Sequence, residues 1–444
     1  MIQALRNAMV LPDLRRKLLY TLLILIIYRL GAHVPVPGVN QEALQQLLAG
    51  SGGASDFFNL MDVLSGGAVV NFSVMANGVY PYITATIIFQ LLTPIFPKLE
   101  QLAGEGEAGR RKLNQWQYYM TIPLGLLQAF GQATGFNYAS SAGAVLPHFG
   151  FGSPENILPT ISVLVAMTAG TMFAIWLGEL ITEQGIGNGL SLIIFGGIVA
   201  SVPQNLQRIW VRGQASGGVG TSVMMVGIFL VIMAITMFVI VVVQEGERRV
   251  PVQYGKRVRG IKMYQGGSTH IPLRVNTAGM IPLIFAQSIL TFPAMIASFA
   301  VGSSSEMIVK IATGVRDFFT PQGPWYGLIY FVTVVGFTYF YTDVMIQQQD
   351  LPGTLRRQGG FIPGIRPGKK TADYINTVYR RITLVGALFL GGVAVLPFIV
   401  DLFLQTRVLL ITSSGLLIVV GVVLDTMRQL EAQLLMRHYE GFIK

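Results

Sequence analysis

The chain has 444 residues and a formal net charge of +10, is 52% hydrophobic and only 12% charged, and has a mean hydropathy of +0.58. That balance lies outside the soluble, disordered and fibrous classes and leaves a polytopic membrane protein. With no cysteine in the sequence, disulfides, thiolate metal sites and cysteine nucleophiles are excluded.

The start, MIQALRNAMVLPDLRRKLLYTLLILIIYRLG, sets basic residues before an apolar run as a signal peptide does. It has no small-residue cleavage site and continues into PVPGV, so it reads as a retained first span preceded by an amphipathic arm. Residues 61–81, MDVLSGGAVVNFSVMANGVYP, are apolar enough to leave water. Ser65, Gly66, Gly67, Asn71, Ser73, Asn77 and Gly78 interrupt them, however, and no span of ~20 apolar residues can be drawn through the stretch. A glycine-hinged segment of this kind, about residues 62–76, is suited to folding back into the outer mouth of a pore.

Apolar windows of span length fall near 18–36, 76–96, 116–136, 157–177, 187–206, 221–244, 276–300, 325–345, 382–402 and 408–427. Ten spans put both ends of the chain on one side. With that side cytoplasmic, 25 of the 31 Lys and Arg fall in inner segments and five outside, the asymmetry that the positive-inside rule demands. The inner loop 178–186 departs from the pattern, with Glu179 and Glu183 and no base. The 51 glycines and 21 prolines imply broken spans, whose freed backbone groups must lie inside protein or along an aqueous cavity.

Span two, GVYPYITATIIFQLLTPIFP (78–97), and span seven, GMIPLIFAQSILTFPAMI (279–296), both open G-x-x-P-x-I. They run in opposite directions five helices apart, as an inverted duplication with halves 1–210 and 211–444 would place them. The expected fold is therefore an all-α membrane protein of ten helices in two inverted-repeat halves of five. Corresponding Gly/Pro-interrupted helices point to the path of a substrate.

An ion-coupled transporter keeps ionisable groups at mid-membrane, where each costs roughly 2.5–3.5 kcal/mol on insertion scales. Here Glu179, Asp343, Asp401 and Asp425 lie near span ends, and Arg29 and His33 can snorkel outward. The polar content of the middle is Thr84, Thr86, Gln90, Ser191, Gln287 and Ser288, which by default hydrogen-bond between helices. Aliphatic bulk is plentiful: Val79, Ile83 and Ile87 at i, i+4 and i+8, Leu192 and Ile194, Ile284, and Ile418. Around a pore these would form a hydrophobic constriction.

Two loops hold much of the basic charge, ERRVPVQYGKRVRGIKMYQGGSTHIPLRVN (247–276) and QQDLPGTLRRQGGFIPGIRPGKKTADYINTVYRR (348–381). One reading is contact with anionic lipid headgroups. Their length and Gly/Pro/aromatic content support another, shaped loops that dock a polyanion such as RNA or an acidic protein. No catalytic chemistry is visible. There is no G-x-x-x-x-G-K-[ST], GIGNG (185–189) opens a membrane helix instead of following a strand, and the four histidines have no zinc spacing. No enzyme activity, metal or cofactor is expected.

ITEQGIGNGLS (181–191), STHIPLRVNTAG (268–279), FIPGIRPGKKTADY (361–374) and SSGLLIVVGVVLD (413–425) closely resemble the SecY family, the central subunits of bacterial protein-conducting channels. The resemblance runs end to end. It implies a clamshell of two inverted halves around an hourglass pore in the bacterial cytoplasmic membrane, with both termini cytoplasmic. Unfolded secretory preproteins would cross it, and transmembrane segments would leave sideways into lipid. The implied pore ring is Val79, Ile83, Ile284 and Ile418 with Leu192 or Ile194. The implied plug is Asp62, Val63, Leu64, Ser65, Gly66, Gly67, Ala68, Val69, Val70, Asn71 and Phe72. A lateral gate would lie between spans two and three and spans seven and eight, and Thr84, Gln90 and Phe292 are expected there. Lys256, Arg257, Arg259, Lys262 and Arg366 match loop residues that dock the motor ATPase SecA and the ribosome. SecE and SecG are the implied small membrane subunits. The competing classes are a substrate-specific secondary transporter and a non-conducting assembly subunit.

Overall fold

The structure, a computed structural model, describes residues 10–49, 67–139, 143–254, 257–259, 262–264, 268–279, 281–300, 306–319, 325–349, 351–366, 368–404 and 412–440. Its helices, in chain order, are α1 (Pro12–Gly31), α2 (Gln41–Ala49), α3 (Tyr80–Leu92), α4 (Pro97–Gly104), α5 (Glu107–Ala139), α6 (Pro154–Gln184), α7 (Gly189–Gly217), α8 (Val219–Glu245), α9 (Ile281–Ala300), α10 (Glu306–Phe319), α11 (Tyr326–Gln349), α12 (Leu351–Gln358), α13 (Lys369–Leu404) and α14 (Thr412–Glu440). Each of the ten apolar windows coincides with one of them. Among the described residues α6, α7, α8, α11 and α13 are long and apolar enough to cross a membrane, and α3 with α4 forms a sixth candidate bent by 103°.

The expectation of an all-α fold needs one amendment. The loop between α8 and α9 folds into β1 (Glu247–Tyr254), β2 (Arg257–Arg259), β3 (Lys262–Tyr264) and β4 (Ser268–Arg274), and a short β5 (Gly360–Phe361) follows α12. β1 pairs antiparallel with β4 along its length and with β5 at Gln253↔Phe361 and Tyr254↔Gly360. The two basic loops are thus one body. Val250 and Val252 alternate into its core with Leu273, Leu355, Ile362 and Ile375, the period-two burial of a sheet with one wet face.

Span two departs most from its window. α3 has 13 residues, ~20 Å at 1.5 Å per residue, against a hydrocarbon core of ~30 Å. Residues 67–79 precede it as successive turns, nearly all buried. The remaining depth is made of irregular backbone enclosed in protein, the one setting in which a membrane tolerates it.

Helical threonines return their hydroxyls to the carbonyl one turn back, as Thr121 does to Gln117 at 2.7 Å, Thr168 to Leu164 at 2.8 Å and Thr338 to Val334 at 2.7 Å. This satisfies them in apolar surroundings. Glu179, the departure from the expected charge pattern, accepts a hydrogen bond from the Tyr118 hydroxyl, so this carboxylate belongs to the helix bundle and not to the loops. Arg428 on α14 reaches Glu245 at the end of α8 at 2.6 Å.

The GIGNG motif is a tight corner between α6 and α7. Asn188 caps α7 by accepting from the Ser191 N–H at 3.2 Å, Thr182 Oγ1 accepts from the Gly189 N–H at 2.9 Å, and a Cβ on Gly189 would lie 1.8 Å from the Gly178 carbonyl oxygen. Gly189→Ala is therefore expected to destabilise the chain by about 2–3 kcal/mol and Asn188→Ala by about 1 kcal/mol, read from thermal unfolding in detergent. A neutral Gly189→Ala would contradict this corner.

Candidate functional site

Val79, Ile83, Leu192, Ile194, Ile284 and Ile418 meet in one apolar cluster, although they come from four separate helices. Val79 is the N-cap of α3 and is 3% exposed, and Ile418 on α14 is 2% exposed. The Ile83 N–H donates to the Val79 carbonyl at 3.1 Å, so the i, i+4 stack expected from sequence forms even though the helix starts after Val79. Leu192 and Ile194 point ~200° apart on α7. Both reach the cluster because it wraps the first turns of that helix, taking in Ile193 and Ile198 as well. Ile87 leaves the stripe. Each step of four residues overshoots a full turn by ~40°, and Ile87 has rotated into a neighbouring cluster with Phe285 and Tyr341.

Against this cluster lies the described part of the glycine-rich segment. Ala68, Met75 and Val79 are members of it and Val74 packs on it, whereas Val69, Phe72 and Ala76 face a second core with Val36, Leu44, Phe136 and Met167. The segment is tied down through its backbone. The Val36 N–H donates to Phe72 O and the Val74 N–H to Val34 O, each at 3.0 Å, while the Ser73 N–H turns back to Ala68 O at 2.9 Å. Asn77 Nδ2 donates to Gly125 O at 3.2 Å. Phe72 is 0% exposed, meets Phe136 edge-on at 5.0 Å, and has φ +40°. Left-handed backbone at a bulky residue costs of order 1–3 kcal/mol, and burying a Phe side chain returns about 1.5–3 kcal/mol, so the pocket offsets the strain.

The walls around the segment are glycine where its backbone passes. A Cβ on Gly170 would sit 1.9 Å from Val74 O, and one on Gly31 2.5 Å from Met75 Cε. Sequence alone does not single out these two glycines, whose only trace there is a small residue within an apolar span. Arg29, expected to snorkel, instead lies against the segment, with Nη1 2.8 Å from where a Gly67 Cβ would stand. Of the expected plug, residues 62–66 lie outside the described residues, and 67–72 belong to the buried, hydrogen-bonded segment.

At the expected gate, α9 packs against α3, α5 and α11. The seam is apolar: Ile87, Ala278, Phe285 and Tyr341 with Ile83, Leu91 and Phe337 at its margin, and Phe285 stands edge-on to Phe337 and Tyr341 at 6.1 and 5.8 Å. Thr84 bonds within its own helix, to Tyr80 O at 3.1 Å. Gln90 Oε1 is buried with no partner. Phe292 lies on α9, its side chain outside the described set.

On the sheet side, Arg257, Arg259 and Lys262 fall on the β2–β3 hairpin, where Arg259 is registered opposite Lys262; Lys256 lies outside the described residues. Arg366 is exposed on a loop fixed from both sides. Ile362 is buried in the sheet core with Ile365 packed against it, Gly364 and Gly368 take φ +81° and +114°, and Thr371 Oγ1 donates to the Arg366 carbonyl at 3.0 Å.

A family model described as SecY matches residues 73–427. The chain is 43% identical to the protein translocase subunit SecY of Halalkalibacterium halodurans and 40% identical to that of Streptomyces galbus, each alignment covering 100% of both chains. Among solved structures it is similar to one described as "The structure of a protein conducting channel", with a TM-score of 0.60 at 17% identity, covering 94% of this chain and 91% of that one. It is also similar to Sec61 in a canine ribosome-channel complex, with a TM-score of 0.56 at 17% identity over the same shares. Full-length identity at this level, with the matching channel fold, shows that the chain belongs to the SecY family.

Proposed function

We propose that the chain forms the protein-conducting channel of a translocase, passing unfolded preproteins across the bacterial cytoplasmic membrane and releasing transmembrane segments sideways into lipid. The observation that carries this is the single apolar cluster in which six aliphatic side chains from four helices meet the anchored glycine-rich segment. In this reading the six are a pore ring, 62–72 are a plug under it, and all ten long helices cross the membrane as two inverted halves, 1–210 and 211–444, with both termini cytoplasmic. A dry ring of this kind resists water and ions by dewetting and needs no bound group to do so.

The apolar seam between α3 and α9 supports a lateral gate. Dispersion contacts part and re-form without stranding hydrogen-bonding groups, whereas a polar seam would pay for each opening with unsatisfied donors. The basic loops, joined by β1 and β5, support docking of SecA and the ribosome, and the family resemblance extends to SecE and SecG as partner subunits. A secondary transporter fits less well, because Thr84, Thr86 and Gln90, polar side chains of α3, are uncharged.

Three outcomes test this reading. Deleting 62–72 raises ion conductance through the resting channel in planar bilayers while insertion into the membrane persists; unchanged conductance would remove the plug. Arg366→Glu abolishes most motor-driven translocation in proteoliposomes, whereas reversing Lys369 or Lys370 has small, salt-sensitive effects. Equal losses at all three would point to a diffuse electrostatic patch. Cysteines at Ile87 and Phe285, or at Thr84 and Phe292, form a disulfide on oxidation that stops both secretion and lateral release, and reduction restores them. No native thiol competes, and failure of both pairs to link would reject a gate between α3 and α9.

A further inference from the structure

α10, between α9 and α11, has three unlike faces. Met307, Ile308, Ile311, Val315 and Phe318 share one arc of ~100° at 3.6 residues per turn, and all five are between 36% and 74% exposed. Glu306, Lys310 and Asp317 share a second arc of ~40° beside it and are exposed as well. The third face turns inward. Ala312 is buried, Val309 and Phe319 are half-buried, α10 packs on α9, and Phe319 joins the core that holds Tyr326 and Tyr330.

A contiguous exposed apolar arc of this kind marks a contact surface, and three observations say what covers it. The exposed charges recur from the first residue of the helix to its third-last, so α10 needs water along its whole length. Its 14 residues make ~21 Å, too short for a span of ~30 Å. A helix wet along one side and apolar along the next lies flat where headgroups meet acyl chains. Its level is marked by Phe319, which packs with the first two turns of α11, a helix long and apolar enough to cross a membrane. There Trp325, 61% exposed, heads an exposed apolar face continued by Leu328 and Val332, and a tryptophan at the end of a span sits at headgroup level. Glu306 and Asp317 balance Lys310 and Arg316, so apolar burial, and not attraction to anionic lipid, supplies the contact. We propose that α10 is an interfacial helix embedded through its five exposed apolar side chains in the outer leaflet, at the boundary of headgroups and acyl chains. The choice of leaflet rests on the topology of the proposed channel.

The test uses the full chain, which brings no native thiol, with Met307→Cys, Lys310→Cys, Ile311→Cys or Val315→Cys spin-labelled in phosphatidylcholine liposomes. Oxygen concentrates in hydrocarbon and a nickel chelate stays in water. Labels at 307, 311 and 315 are expected to meet oxygen several-fold more readily than nickel, and the label at 310 the reverse. The depths at 307 and 315 should agree to within about one helical turn, ~5 Å, and added phosphatidylglycerol should change none of this. Nickel access at all four positions, poor access of both reagents at 307, 311 and 315 as beneath a protein cover, a depth that grows steadily from 307 to 315, or a need for phosphatidylglycerol would each overturn the proposal. Each position reports by itself, so a variant that folds poorly leaves the others to decide. In right-side-out vesicles an impermeant thiol reagent added outside should modify Lys310→Cys. Modification from the inner side alone would overturn the leaflet and the topology it rests on, whereas a covered arc would overturn the lipid contact and leave that topology standing.

Discussion

Backbone polar groups inside an apolar interior must find partners, and in this molecule that constraint bears on residues 67–79. They are turns, not helix, and nearly all buried, so their N–H and C=O groups have to be met largely by protein. Pairing with residues 34–36, the Ser73 hydroxyl accepting from the Met75 N–H at 3.0 Å, and Asn77 on Gly125 meet much of that demand. Because the segment occupies the start of the apolar window as turns, α3 starts late, and Val79 and Ile83 arrive where α7, α9 and α14 bring their own aliphatic side chains.

Permanent and separable contacts are built from different forces. The helices that hold the frame are joined by specific polar bonds, Tyr118 to Glu179 and Arg428 to Glu245, and by glycine contacts too close to slide, as at Gly178 and Gly189. The central cluster and the α3–α9 seam are aliphatic and aromatic packing. Such contacts are individually weak, non-directional and indifferent to which apolar partner fills the space. In the proposed channel, that indifference suits a constriction and a gate that must admit many unrelated chains.

The sheet and its basic loops separate shape from charge. The shape comes from a core of Val250, Val252, Leu273, Ile362 and Ile375, and the charges stand on loops around that core. Two segments far apart in the chain are registered by the pairing of β1 with β5. The two basic loops therefore share one core.

Sequence by itself determined the class, the approximate position of each of the ten long apolar segments and the identity of the aliphatic side chains that gather at the centre. Membrane spans and positive-inside bias are long-range averages over composition, and a helical stripe such as Val79–Ile83 follows from local geometry. The motifs carried family membership as well. Tertiary structure alone decided where span two begins, that Ile87 turns away toward the seam, that Arg29 lies against Gly67, and that the basic loops share a sheet. Those outcomes depend on which distant segment satisfies a backbone group or fills a gap. Gly170 has meaning only because Val74 passes it, and Glu179 looks like a loop charge until Tyr118 is seen beside it. Pairings made in space between residues far apart in the chain leave no period and no local composition to read.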